Sequence, residues 1–239
     1  MTPWLACRER RPDAGVQLYC FPHAGGGPAE YVRWSDALPG VQVWGLRPPG
    51  RESRLAEPPF TRMTRLVEAI VESVPFERPC AFFGHSLGAL VAFEAARALR
   101  DRPVRLVVSA CPPPAEAVEG PALHVLPDAE LLAEIDRSWG ALPEAVRADP
   151  EFLAQTLVRF RADLEVLETY RYGPGAPLDC PITAVGGDRD RHTGRMRGWR
   201  DHTTGTFDLR VLPGDHFYLR DRRDELLVLL ETLLKEPLE

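Results

Sequence analysis

The sequence predicts an α/β fold, a mostly parallel sheet flanked by helices, and three observations carry that expectation. Six short strand-like runs recur along the chain, several of them continuously apolar, as strands buried on both faces are. Helical stripes fall between these runs, so strands and helices alternate as in βαβ units. The length of 239 residues suits one large α/β domain or two small ones, and with 44% hydrophobic and 27% charged residues it can bury a core of its own.

The strand-like runs are residues 16–21, 41–46, 80–83, 106–110, 182–185 and 207–212. Between them, residues 64–74 place Leu66, Val67, Ile70, Val71 and Val74 on one stripe. Residues 87–99 read as a small-residue helix with Leu87, Leu90, Val91 and Leu99, and residues 224–235 as a leucine-rich closing helix. The alternation breaks once. About 70 residues between the fourth and fifth runs contain no strand signal. Two helices are expected there, one after Pro127-Asp128 that stops near Gly140, and one over about 151–170 with Leu153, Leu157, Phe160, Leu164 and Leu167 at helical spacing. Pro112-Pro113-Pro114 and the Gly/Pro stretch at 173–177 fence this segment off. The expectation is a single domain over 1–239 with a helical lid insert at about 112–178, on the side of the sheet where ligands bind.

Composition excludes several classes. A net charge of −6 lacks the basic footprint of a general nucleic-acid binder. No apolar run approaches the roughly 18 residues of a membrane span, and MTPWLACRERRPD has no apolar stretch of signal-peptide length. Cys7, Cys20, Cys80, Cys111 and Cys180 are odd in number and lack metal-like spacing, so they read as reduced thiols. The expected location is the cytoplasm, with no membrane or nucleic-acid partner, no metal and no cofactor.

The chemistry centres on Gly84-His85-Ser86-Leu87-Gly88. A G-x-S-x-G string gains meaning when a strand precedes it and a helix follows, because that holds the serine on a sharp turn with its hydroxyl exposed. Residues 80–83 and 87–99 supply both. The bland alternative is a plain strand-to-helix turn with Ser86 as N-cap. A nucleophilic serine needs a base, and the base needs an orienting carboxylate. In the α/β-hydrolase order these follow the serine as acid, then histidine. His216 lies just past the last strand, before the final helix, and is the expected base. His85 lies inside the elbow, whereas His124, His192 and His202 sit in polar or insert segments and read as surface residues. After the 182–185 run, Gly186-Gly187-Asp188-Arg189-Asp190 offers two carboxylates. Asp190 is favoured, because there the loop has left the strand end. Asp188 stays as the alternative. An oxyanion hole needs two backbone donors. The amide of Leu87 is one, and Ala24, in the loop Phe21-Pro22-His23-Ala24-Gly25-Gly26-Gly27, is the expected second. A phosphate-binding reading of that loop fails, because the Gly-x-x-x-x-Gly-Lys pattern is missing.

Taken together, Cys20-Phe21-Pro22-His23-Ala24-Gly25-Gly26, Pro49-Gly50-Arg51-Glu52-Ser53-Arg54, Gly84-His85-Ser86-Leu87-Gly88, Cys180-Pro181-Ile182, Trp199-Arg200 with His202-Thr203-Thr204-Gly205, and Leu212-Pro213-Gly214-Asp215-His216-Phe217 resemble the type II thioesterases that accompany polyketide synthases and nonribosomal peptide synthetases. The resemblance spans nearly the whole chain. It implies a free-standing α/β-hydrolase that removes acyl groups from the phosphopantetheine arm of an acyl- or peptidyl-carrier protein and so clears stalled synthases. It implies Ser86 as nucleophile, Asp190 as orienting acid and His216 as base. One departure stands out: Arg191-His192 follows where the family commonly has Pro, and the segment up to Trp199 is about two residues short, which keeps Asp188 in play. A carboxylesterase or lipase acting on small oxygen esters is the alternative enzyme. A carrier-binding scaffold with a vestigial elbow is the non-catalytic one.

Overall fold

The computed structural model describes residues 2–118, 120–140 and 142–235. Its strands are β1 (Leu5–Ala6), β2 (Val16–Phe21), β3 (Val41–Leu46), β4 (Cys80–His85), β5 (Arg105–Ser109), β6 (Ile182–Gly187) and β7 (Phe207–Leu212). They form one sheet in the order β1-β3-β2-β4-β5-β6-β7. Every pairing is parallel except that of β1 with β3. Strands β2 to β6 are buried along their whole length, as their apolar runs require, while β7 is only half-buried at the sheet edge.

The helices are α1 (Ala29–Val32), α2 (Met63–Ser73), α3 (Leu87–Ala98), α4 (Asp128–Trp139), α5 (Glu144–Arg147), α6 (Pro150–Glu168), α7 (Tyr218–Asp221) and α8 (Arg223–Lys235). Leu66, Val67 and Ile70 of α2 and Leu90, Val91 and Phe93 of α3 pack on one face of the sheet. Tyr31, Trp34 and Leu226, Leu227 and Leu230 of α8 pack on the other. Connections from β2 run outward to β3 and then back across to β4, so the chain reverses direction in the sheet between β2 and β4. In open α/β sheets ligands bind outside the strand C-termini at such a reversal.

The insert between β5 and β6 is helical. Asp149 starts α6 by accepting from the amides of Glu151 (3.0 Å) and Phe152 (3.1 Å), and Pro150 follows at the first helical position. Leu131 and Ile135 of α4 meet Leu157, Phe160 and Leu164 of α6 in a small core of their own. Burying each such side chain contributes at most about 1.5–3 kcal/mol, enough to hold the two helices together as a unit over the sheet's C-terminal edge. Sequence reading did not anticipate β1, α1 or the 3-10 stretch Thr193–His202. Each is short or lacks an apolar period and is fixed by tertiary contacts: β1 pairs Leu5 with Leu46 and Ala6 with Gly45.

Candidate active site

Strand β4 delivers Ser86 at the reversal point. Its backbone sits at φ 54°, ψ −123°, a region that costs a non-glycine residue on the order of 1–3 kcal/mol. The surroundings impose it: the Ser86 amide donates to the Ser109 carbonyl (2.8 Å), and its carbonyl accepts from Ala89 (2.9 Å). The flanking glycines let three backbones meet. A Cβ on Gly84 would lie 2.2 Å from the Gly88 carbonyl oxygen, and one on Gly88 would lie 2.1 Å from that of Phe21. Ser86 occupies the N-cap position of α3, yet its side chain makes no capping hydrogen bond. The hydroxyl is therefore not engaged in the structural role that would compete with a chemical one.

The loops after β6 and β7 bring the other two residues together. His216 Nδ1 lies 2.9 Å from Asp190 Oδ2. The second carboxylate oxygen of Asp190 accepts from the His192 amide (3.0 Å). Asp188 lies elsewhere: its Oδ1 accepts from the Gly214 amide (2.8 Å) and faces Arg189 at 3.6 Å, bracing the loop that carries His216. Burial pushes the Asp190 carboxyl up, but the His216 hydrogen bond and charge and the His192 amide outweigh it and hold it below the usual carboxylate range. An ionised Asp190 accepts a hydrogen bond from Nδ1–H, which keeps the imidazole proton on Nδ1 and leaves Nε2 of His216 with its lone pair. Nε2 is buried and has no hydrogen-bond partner among the described residues. Ser86 and His216 line one cavity of about 470 Å³, roofed by Leu123, Trp139, Leu164 and Leu167 of the insert. No hydrogen bond joins Ser86 Oγ to Nε2; in enzymes of this kind that contact tightens with substrate.

Of the two expected amide donors, one directly follows the serine and the other follows β2, the strand paired with β4. Leu87 is the first residue of α3, where the helix leaves its N–H unused and adds a partial positive charge. Ala24 follows β2; its neighbours Gly25 and Gly26 donate to Asp163 (2.7 Å) and to the His23 carbonyl (2.9 Å), while its own N–H has no partner among the described residues.

None of the three histidines read as surface residues is fully exposed. His202 is buried against Phe93, Tyr172 and Trp199. His124 is half-buried, with Nδ1 on Glu168. His192 lies beside His216, with 6.0 Å between ring centroids, and lines the cavity. The polar sequence around them hid a fold that tucks the 193–202 stretch under the sheet edge. His85 is fully buried, with Nδ1 on Ser109 Oγ (2.8 Å), which in turn meets the Tyr218 hydroxyl (2.7 Å). A further buried pair, Arg51 with Asp163 behind the Ala24 loop, also went unread. Its one sequence signal is a carboxylate on the apolar stripe of α6, three residues after Phe160.

Burial disfavours the charged form of His23, His85 and His192. It lowers His23 to about 3 and His192 to about 4, from an ordinary 6.5, and it lowers His85 well below that. In the unfolded chain they gain protons as pH falls below 6.5, while the native state refuses them until near 4 and 3. Stability is therefore level above 6.5 and declines progressively below it. The depressed Asp190 acts in the same direction at lower pH. Urea midpoints measured from pH 7 downward should fall well before the carboxylates titrate, and a flat profile to pH 4 would contradict the burial of these rings.

The chain is similar to known proteins over most of its length. A family model of the thioesterase domain matches residues 16–234. The chain is 36% identical to the gramicidin S biosynthesis protein GrsT of Aneurinibacillus migulanus, over 94% of this chain and 91% of that one. It is 40% identical to thioesterase PikA5 of Streptomyces venezuelae, over 93% and 82%. Among solved structures, the type II thioesterase BorB from the borrelidin biosynthetic cluster superimposes with a TM-score of 0.84 at 35% identity, covering 96% of this chain and 95% of that one. With an elbow serine facing a histidine–aspartate pair beneath a helical insert, and a family match running from the first long strand almost to the end of α8, this chain belongs to the thioesterase family.

Proposed function

We propose that this protein is a free-standing editing thioesterase that hydrolyses acyl groups from the phosphopantetheine arm of carrier proteins in polyketide or nonribosomal peptide biosynthesis. The observation that carries the reading is the strained Ser86 facing, across a 470 Å³ cavity, a His216 whose Nδ1 is committed to Asp190. In this reading His216 Nε2 takes the Ser86 proton as Oγ attacks the thioester carbonyl. The Leu87 and Ala24 amides receive the oxyanion. The pantetheine thiol leaves, carrying a proton from His216, and His216 then activates water against the acyl-enzyme. The insert acts as a lid: it closes the apolar side of the cavity around the acyl chain and leaves the arm a way in. A cytoplasmic setting fits the free thiols of Cys7, Cys20, Cys80, Cys111 and Cys180, and no helix among the described residues is long and apolar enough to cross a membrane.

Mass spectrometry of carrier proteins loaded with acetyl, propionyl and longer acyl groups, before and after the enzyme, tests the reading. Loss of the acyl mass from the arm, faster than hydrolysis of a matched oxygen ester, is expected. Faster turnover of the ester would replace the thioesterase with a carboxylesterase.

A further inference from the structure

We propose that Arg51 and Asp163 are positioning residues that couple the oxyanion loop to the insert helix α6, so that the Ala24 amide is in place only while α6 is seated. The inference rests on the reading of Ala24 as an oxyanion donor.

The loop after β2 is held from two sides. On the body side, His23 Nδ1 meets the Tyr31 hydroxyl at 3.2 Å, and its ring packs edge-on against Phe217 and His85. On the insert side, a single carboxylate oxygen of Asp163 accepts both the Gly25 amide (2.7 Å) and the Arg51 guanidinium. Arg51 uses its remaining donors on the loop and on its own turn, with Nε to the Gly26 carbonyl (2.5 Å) and Nη1 to that of Pro49 (3.3 Å). Phe160, one turn before Asp163, covers Gly25 so closely that a Cβ there would meet its ring at 2.5 Å. Ala24 itself packs against both the main core and the insert core. The peptide carrying the Ala24 N–H is thus bracketed by His23 from the body and by Gly25 and Gly26 from the insert.

Both charged side chains are 7% exposed. A buried ion pair contributes little net stability against apolar groups of the same size. Stability alone therefore gives no reason for a charged fork here. Geometry does: a planar guanidinium can hold a carbonyl and a carboxylate at fixed angles simultaneously, which an apolar side chain or an ammonium cannot. Moving α6 away would strip the Gly25 amide of its acceptor and leave Arg51 buried without its carboxylate. The oxyanion hole would then be assembled by seating of the insert, as closing elements complete other catalytic sites.

The test separates positioning from folding. The double variant R51M/D163L replaces the pair with apolar groups of similar length, so the loss of the ion pair itself should cost little, and its urea midpoint should fall only by what the Gly25 amide and the Gly26 and Pro49 carbonyls lose as partners. Its kcat on acyl-carrier protein should fall by about 10²–10³-fold, the usual effect of losing one oxyanion donor, with KM little changed. A fluorophosphonate probe gives a second readout: Ser86 Oγ bonds phosphorus as fluoride leaves and His216 takes the serine proton, and the phosphoryl oxygen needs the hole. The double variant should label slowly while binding a non-hydrolysable thioether analogue of the acyl-carrier as tightly as wild type. Where the double variant does not fold, Arg51→Lys decides, since lysine keeps the charge for Asp163 but lacks the fork; slow labelling supports the inference. Wild-type kcat and labelling rate in a folded variant would overturn it, while leaving Ser86, His216 and Asp190 untouched. Failure of wild type to label at Ser86 would instead strike the proposed function.

Discussion

Ser86→Ala should lower kcat on an acyl-carrier substrate by on the order of 10⁶-fold, because the nucleophile and its base act as one unit and the residual rate comes only from binding and the oxyanion hole. The substitution should leave the fold intact. Alanine keeps the Cβ that serine already places at φ 54°, and the serine hydroxyl makes no capping bond that would be lost. Ser86→Gly sharpens the test. Glycine adopts that backbone without strain, so removing a cost of about 1–3 kcal/mol should outweigh the entropy glycine adds to the unfolded chain, for a net gain of about 1 kcal/mol. Both variants should be equally inactive, and only the glycine variant should unfold at higher urea. An alanine variant that clears carriers at the wild-type rate would remove Ser86 from the chemistry. A glycine variant no more stable than alanine would mean that the elbow stores no strain. Together the two variants separate what the serine does for the reaction from what its conformation costs the fold.

Much of the architecture could be read from the chain because its strands are buried on both faces. Val16 to Phe21 and Val41 to Leu46 announce themselves as apolar runs, and the structure pairs them residue for residue, Val16 with Val41 through Cys20 with Gly45. The end of β4 was less legible. Gly84 and His85 carry no strand signal, yet they pair with Phe21 and Ser109; the register set by Ala81 to Phe83 carries them into the sheet. The site was legible where chain order dictates it. An elbow serine needs a histidine after the last strand, and His216 is the residue there. What stayed hidden depends on approach between segments far apart in sequence. His192 sits in a polar run, but its ring lies beside His216. Asp163 is 112 residues from Arg51 and 138 from Gly25, and no periodicity relates them. The resemblance quoted Arg51 within a motif without giving it a task; the buried fork supplies one.

Asp190→Asn should lower kcat by about 10⁴-fold, and Asp188→Asn should leave it near wild type. The first expectation follows from proton placement. Asp190 Oδ2 accepts the Nδ1 proton of His216 at 2.9 Å. An asparagine there can present its NH₂ to Nδ1, which moves the imidazole proton to Nε2, the nitrogen that must receive the Ser86 proton; a tautomer reversed in this way costs about 10⁴ in serine hydrolases. The negative charge that steadies the imidazolium is lost as well. Substrate affinity should change little, because Asp190 is buried behind His216, so the loss should fall on kcat and equally on kcat/KM. Asp188 has a different task. Its carboxylate accepts the Gly214 amide at 2.8 Å, and the side-chain oxygen of asparagine can accept the same bond, so the loop bearing His216 keeps its course. The Gly-Gly-Asp-Arg-Asp run offers two carboxylates two residues apart, which in a continuing strand would share one direction; the turn in which the Asp190 amide donates to the Gly187 carbonyl (3.1 Å) breaks that period, so that one carboxylate meets the His216 imidazole and the other the Gly214 amide of the same loop. Single-turnover acylation measured on both variants decides between them. A large loss in Asp188→Asn with Asp190→Asn spared would reverse the assignment, and comparable losses in both would mean that the imidazole is held by the loop as a whole and not by one carboxylate.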